Sequence, residues 1–491
     1  MRALARRTRD AHGGVPLFRN AYALAANTAI TSALGFAFWI AAARLYAPVV
    51  VGAGSAAVSL MMVSSTVAQL NLMQGLARVL PALGRRRRGL VTASYAVTAL
   101  LALLVVGLLV AVVRLTGVHI GALPTDEPGA LMWFAGAVVA WTVFSLQDGV
   151  LTGLRRAAWL PVENAGFGVL KLVLLVAFAG LLPGHGIFAA WTLPLVVFIV
   201  PINVLVYRRL LRPASVDPAD HDADSVSAGP ADRHDCPASA GPADRDADSA
   251  SSDPADRDAD PAFAARAIAG FVAGDYVGSL FALASTMLLP PIVLALLGAR
   301  ANAHFYVAWT VVFALETVAL NFATSLTVEG AIDGSALAGM SGAIVRRIGL
   351  LFAVVVPVLL LIAPFVLAIY GPTYAQESTT VLRVLALGVV GRAVIAPSVA
   401  IARVQRRVRR SITIEAALGL LILGGTPLGI ALLGLPGVAV AYAVAHVVVA
   451  AALTPSLVRF VRRGDADHQL SPAPTPPRVL AMSIVTDRNA G

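Results

Sequence analysis

The chain has 491 residues, 58% of them hydrophobic and 13% charged, where ordinary soluble domains carry about a quarter charged. With a mean hydropathy of +0.80, the apolar residues are most of the protein and not a core inside a polar shell, as expected when lipid is the solvent. The net charge of +10 does not mark a nucleic-acid partner, because the arginines sit in short clusters between apolar runs, the pattern of membrane topology signals.

Before the first apolar run stand Arg2, Arg6, Arg7, Arg9 and Arg19. That run is too long for a signal-peptide core and no small-residue cleavage site follows it, so no cleavable leader is expected. A bilayer core of about 30 Å takes about 20 apolar residues as a helix. Such runs fall at 21–43, 50–79, 90–114, 130–153, 164–182 and 187–207, and again at 266–297, 302–329, 347–370, 379–403, 411–433 and 437–459. The expected fold is an all-α polytopic membrane protein of about 12 transmembrane helices. Its organisation reads as a basic N-terminus (1–20), an N-lobe (21–211), a linker (212–262), a C-lobe (263–463) and a polar tail (464–491).

Orientation follows from the arginines. With the N-terminus inside, the inner helix ends and short loops collect 25 of them, including the runs Arg85 to Arg88 and Arg406, Arg407, Arg409 and Arg410. The outer side collects three, Arg44, Arg114 and Arg300. A misplaced helix would scramble that alternation, so both termini are expected in the cytoplasm of a bacterial cell with the chain in its inner membrane. The linker repeats an acidic phrase, Pro-Ala-Asp-Arg-Asp-Ala-Asp, at 242–248 and 254–260 and holds 13 of the 27 acidic residues. With almost nothing large and apolar to bury, it is expected to be disordered, as is the tail.

Charged groups at membrane depth are expensive and mark function by default. The deep ones are Lys171, Asp275, Glu316 and Arg392, with Asp148 about a turn from the level of Lys171 and a candidate partner for it. Asp275, Glu316 and Arg392 are placed to share a C-lobe cavity, the two acids as ion-coupling candidates. Glu163 and Glu415 stand at the starts of their helices, where the dipole favours an anion, and Arg383 is placed to snorkel. On the second run Ser55, Ser59, Met62, Thr66, Gln69 and Met73 recur at helical spacing. That stripe fits a hydrogen-bonded helix contact or a cavity wall; Asn71, Gln74 and Arg78 beside it favour a cavity. Asn27 on the first run and Thr317, Asn321 and Thr324 on the eighth add further polar groups. Pro and Gly interrupt several helices, a weak sign of rocking motion.

No catalytic, metal or cofactor constellation is expected: there is no His-Glu-x-x-His, no phosphate-binding glycine loop and no Gly-x-Ser-x-Gly. His119 near Asp126 and Glu127 reads as a solvated loop. The lone cysteine, Cys236, excludes an intramolecular disulfide. Without an ATP site, transport would draw on an ion gradient or on the gradient of the substrate.

Arg-Asn-Ala-Tyr-Ala-Leu at 19–24, Phe-Trp at 38–39, Ala-Arg-Leu-Tyr at 43–46, Ala-Gln-Leu-Asn-Leu at 68–72 and Arg-Val-Leu-Pro at 78–81 resemble one family. So do Gly-Asp-Tyr at 274–276, Phe-Tyr-Val-Ala-Trp at 305–309 and Val-Leu-Arg-Val-Leu-Ala at 381–386. It is the polysaccharide-type flippases of the multidrug/oligosaccharidyl-lipid/polysaccharide (MOP) exporter superfamily. The resemblance implies two six-helix lobes around a central cavity, and alternating-access translocation of a lipid-linked oligosaccharide or polysaccharide precursor for the cell envelope. The implied substrate is of the polyprenyl pyrophosphate type, handled among membrane lipids beside polymerase or glycosyltransferase partners. Arg78 and Arg392 then suit phosphate, and Asn27, Asn71, Gln74 and Asn321 suit sugar hydroxyls. The alternative is an ion-coupled multidrug exporter of the same superfamily, with Asp275 and Glu316 titrating. A membrane-embedded glycosyltransferase or polymerase ranks lower, because the outer loops are short, and a passive scaffold is a further reading.

Overall fold

The computed structural model describes residues 30–83, 87–117, 121–156, 159–210, 276–332, 337–405 and 407–470. Every regular element among them is a helix. In chain order they are α1 (Ile30–Leu45), α2 (Pro48–Gln69), α3 (Leu72–Val79), α4 (Arg87–Thr116), α5 (Pro128–Gly153), α6 (Leu160–Leu181) and α7 (Gly186–Leu205). There follow α8 (276–287), α9 (Leu289–Ile332), α10 (Leu337–Ala368), α11 (Pro372–Glu377), α12 (Thr379–Val389), α13 (Arg392–Val404), α14 (Val408–Leu433) and α15 (Leu435–Leu470).

The twelve expected helices are recovered once the breaks are read. Among the described residues nine stretches are long and apolar enough to span, one of them the 49-residue Tyr276–Thr324. Gly298, at φ 84° and ψ 172°, leaves the helical region there and turns that stretch into two, as only glycine does cheaply. The pair α12 and α13, bent by 42°, makes one further span, and the shorter apolar α1 completes the set. Helices expected to be continuous are broken: the seventh run at Leu288, between α8 and α9, and the second and tenth runs. The second run stops at Leu70 and Asn71, both left-handed (φ 48° and 59°), and resumes as α3. The tenth run breaks between α12 and α13.

Lipid is written into the exposure pattern. The most apolar windows of α4 and α10 have a mean hydropathy of 3.0 each, yet only 22% and 28% of those windows is buried. Leu100, Leu104 and Leu108 on α4, and Leu361 and Phe365 on α10, lie open at the surface. A patch that large is untenable in water and ordinary in a bilayer, so the chain is a multi-pass membrane protein. By contrast α2 has 61% of its window buried and is a core helix.

Packing divides the chain into two compact units, Met1–Val307 with Leu367–Ser378, and Ala308–Val366 with Thr379–Gly491. In the first, α5 runs beside α2, α3, α4 and α7, and α6 lies along α7. In the second, α14 and α15 pair along their length and α12 and α13 pack on α15.

Candidate functional site

In the second unit the buried charges converge. Gly388 and Gly391 bring the bent pair against α15: a Cβ on Gly388 would meet the Ala443 Cα and the Tyr442 ring at 2.8 Å, and one on Gly391 the His446 carbonyl oxygen at 2.9 Å. That close approach sets Arg392, the first residue of α13, beside Tyr442 and His446, which are one turn apart on α15. Glu316 comes from α9. Arg392 Nε and Nη2 lie 3.4 and 3.5 Å from Glu316 Oε1 and Oε2. The Tyr442 hydroxyl donates a short hydrogen bond to Oε1, and His446 Nε2 is 3.6 Å from the same oxygen. Glu415 on α14, also buried, acts electrostatically on Arg392.

Glu316 and Arg392 are 5% and 13% exposed, so they form one charge-compensated cluster and not two independent groups. His446 Nδ1 contacts the Tyr442 carbonyl at 2.9 Å, which fixes its ring. Tyr442 and His446 escaped the sequence reading. Their signal is a polar pair four residues apart in an otherwise apolar helix.

In the first unit Lys171 does not pair with Asp148 as the sequence suggested. Its ammonium lies over the Trp191 ring at 3.8 Å, with Phe38 and Phe167 at 5.2 and 5.4 Å. Asp148 is five residues from the end of α5 and Lys171 eleven from the start of α6, which separates them by more than a turn in depth. The aromatic faces supply what the carboxylate does not, on the order of 2 kcal/mol for a desolvated cation–π contact. Glu163, read from sequence as a helix-start anchor, is buried at 3% exposure.

The polar residues of α2 resolve into helix contacts along its length. Asn302 Nδ2 donates to the Gly52 carbonyl at 2.7 Å and to Ser55 Oγ at 3.2 Å. Thr142 Oγ1 donates to Ser65 Oγ at 3.0 Å, as does Gln69 Nε2. Beyond the break Asn71 is half-buried, while Gln74 and Arg78 on α3 and Asn321 on α9 are exposed. Asn27 and Asp275 lie outside the described residues, as do the linker 212–262, Cys236 and His119.

A cavity of about 400 Å³ opens in the first unit, lined by Gly54, Trp133, Phe134 and Phe188, with Asp126 and His185 among its polar groups. Elsewhere in that unit Arg300 and His304 both reach Glu377, at 3.1 Å each. Burial beside them pushes the Tyr374 phenol up to about 12. Among the described residues no group of three or more His, Cys, Asp or Glu is placed to hold a metal.

No family model matches the chain, and no curated protein matches it. Solved structures do. An inward-facing multidrug resistance MATE family transporter of the MOP superfamily superposes with a TM-score of 0.64 at 14% identity, covering 90% of this chain and 96% of that one. The lipid II flippase MurJ, in an inward closed conformation, gives 0.64 at 8% identity, covering 90% of each. A MOP superfamily transporter from Pyrococcus furiosus, described as having a binding pocket of reverse polarity, gives 0.55 at 14% identity, covering 92% and 95%. Over 90–92% of its length the chain therefore has the fold of solved structures of the MOP superfamily.

Proposed function

We propose that the protein is a transporter that moves a lipid-linked oligosaccharide or polysaccharide precursor across a bacterial inner membrane by alternating access. Two lobes of six helices would carry the motion, with both termini cytoplasmic and the product destined for the cell envelope. The observation that carries the transporter reading is the full-length likeness to a multidrug transporter and to a lipid flippase at the same TM-score, 0.64. Because that tie does not favour either cargo, residue chemistry supports the choice between them.

A polyprenyl pyrophosphate bearing a sugar presents an anion, a hydroxyl-rich head and a greasy tail. Arg78, exposed on α3, suits the phosphates, and Gln74, Asn71 and Asn321 suit hydroxyls. Arg392 takes a phosphate only by exchanging Glu316 for it, a swap of one anion for another. The same pairing weighs against a drug exporter, since Glu316 already faces an arginine, a tyrosine and a histidine and is not a bare acid awaiting a cationic cargo. The exporter reading, with Asp275 and Glu316 coupling to an ion, stands second.

The test is reconstitution in liposomes with a fluorescent polyprenyl-pyrophosphoryl sugar, scored by protection of the probe from an impermeant quencher. Equilibration across the bilayer is expected, slowed by Arg78→Ala and Arg392→Ala. Unchanged rates in both variants overturn the phosphate assignment. Sodium- or proton-driven release of a cationic dye, abolished by neutralising Asp275 and Glu316, favours the exporter.

A further inference from the structure

The hairpin between α10 and α12 belongs to the first unit, although both of those helices belong to the second. The chain leaves the second unit after Val366, packs within the first from Leu367 to Ser378, and returns at Thr379. At the centre of the hairpin is α11, opened by Gly371 at φ 151° and by Pro372. Glycine reaches that φ without a Cβ penalty, so the end of α10 turns directly into α11. Leu367, Tyr370, Tyr374 and Ser378 are all buried, which so short a segment cannot achieve against itself.

Three side chains of the first unit fasten the hairpin at its two ends. Arg44, in the last turn of α1, donates from Nη2 to the Ala368 carbonyl at 2.7 Å and from Nε to the Ile369 carbonyl at 2.8 Å. Carbonyls at the end of a helix lack intrahelical donors, and the helix dipole favours a cation there. At the other end Arg300 Nη2 and His304 Nε2, one turn apart on α9, each lie 3.1 Å from the Glu377 carboxylate. Ser378 Oγ is 3.3 Å from His304 Nδ1, so both imidazole nitrogens face the last two residues of the hairpin. The His304 ring also packs against that of Tyr374, with centroids 5.0 Å apart.

This fastening is of a kind that opens. Arg44 is exposed, and the Arg300 and Glu377 side chains are 66% and 45% exposed. Ion pairs at that exposure are weak and screened by salt, and water replaces Arg44 at a carbonyl with little loss. Beneath the charges lie the buried Tyr370 and Tyr374 rings, whose close packing fits one arrangement and not a continuum of them. Shape that seats the segment, with exposed charge that holds it, gives two discrete states, seated and released.

We propose that Leu367–Ser378 is a clasp on the first unit, released when the second unit moves during transport, with Arg44 and the Arg300–His304–Glu377 group as its two fasteners. The motion it restrains rests on the transport reading; its seat is defined by contacts within the first unit. The clasp also gives work to Arg44 and Arg300, two of the three arginines that the sequence reading assigns to the sparsely charged side.

Hydrogen–deuterium exchange on the purified full-length chain in lipid nanodiscs tests this without cargo. In the wild type the hairpin amides should exchange slowly. Glu377→Gln weakens one fastener and Arg44→Gln the other. Each should speed exchange through the whole hairpin, by up to about fivefold for the loss of a partly exposed pair. Each should also change exchange in residues 341–348 and 398–404, at the opposite ends of the spans that the hairpin joins. Faster exchange confined to the altered fastener, or no change anywhere, makes the hairpin ordinary packing and overturns the proposal. If Glu377→Gln is not recovered folded, Arg44→Gln decides; if neither is, wild type in raised salt, which screens the Glu377 pairs, gives the same readout. The flipping assay on wild type is scored separately. Coupled exchange without flipping removes the cargo and keeps the clasp, and flipping with uncoupled exchange does the reverse.

Discussion

Replacing Glu316 by Gln is expected to destabilise the second unit by about 3 kcal/mol. The substitution keeps size and the acceptor for the Tyr442 hydroxyl but removes the charge that compensates Arg392, a base 13% exposed. Removing one member of a buried ion pair costs about 3–5 kcal/mol, most of it the stranding of the survivor. The contacts here, 3.4 and 3.5 Å, are longer than the 2.7–2.9 Å of a strong charge-assisted bond, which places the cost at the lower end. About 3 kcal/mol is a factor of roughly 150 in the folded-to-unfolded ratio. Arg392→Gln should cost a similar amount, because it strands the carboxylate. The double variant should recover most of the loss, since both costs have one origin. Denaturant titration in a bilayer mimetic measures all four corners of the cycle. Trp309, whose ring meets that of Tyr442 edge-on at 5.5 Å, gives a local fluorescence signal. If each single variant lies within about 0.5 kcal/mol of wild type and the two add, Glu316 and Arg392 do not hold one another.

Gly52→Ala should lower the yield of folded protein sharply, since the new Cβ would fall 1.7 Å from the Ala299 carbonyl oxygen and 2.9 Å from the Ala303 nitrogen; size-exclusion profiles report it. Overpacking usually costs about 1–3 kcal/mol, and a backbone obstacle puts this case at the top of that range. Lys171→Met should be tolerated, within about 1 kcal/mol, because it fills the same cage without an unpaired charge. Lys171→Glu should fail to fold, because it puts an anion against ring faces; melting curves separate the two. Cys236, the chain's only cysteine, should react with an impermeant maleimide in inside-out vesicles and not in intact cells; labelling of intact cells refutes the cytoplasmic assignment of the linker.

The helices were legible because lipid imposes a length and a composition on each one, and α4 and α10 meet both without help from their neighbours. The breaks were less so. Gly298 announces itself as a glycine between two apolar runs, but Leu70 adopts φ 48° with no feature in its own side chain to mark it. Counting 1.5 Å per residue gives the depth of a charged group, and depth was enough to group Glu316 with Arg392, 76 residues away. It failed for Asp148 and Lys171, because Asp148 is five residues from the end of α5 and Lys171 eleven from the start of α6, so the two differ in depth by more than a turn. Which groups meet at a given depth is decided by packing, as where Gly388 and Gly391 let α15 approach.

One chemical regularity was visible in the sequence and acquired a meaning only in the structure. Of 37 basic residues, 36 are arginine, and genome composition alone accounts for such a preference. Arg392, buried, has Glu316 within reach. Lys171, buried at 6% exposure, has aromatic rings and no acid. A guanidinium presents a planar fork that matches a carboxylate, whereas an ammonium is a compact point charge that ring faces can surround. The single lysine stands in an aromatic cage, on the same helix as Glu163, which is buried. The first unit thus keeps an acid and a base on one helix about 12 Å apart, neither in an ion pair among the described residues. The second unit pairs its charges directly.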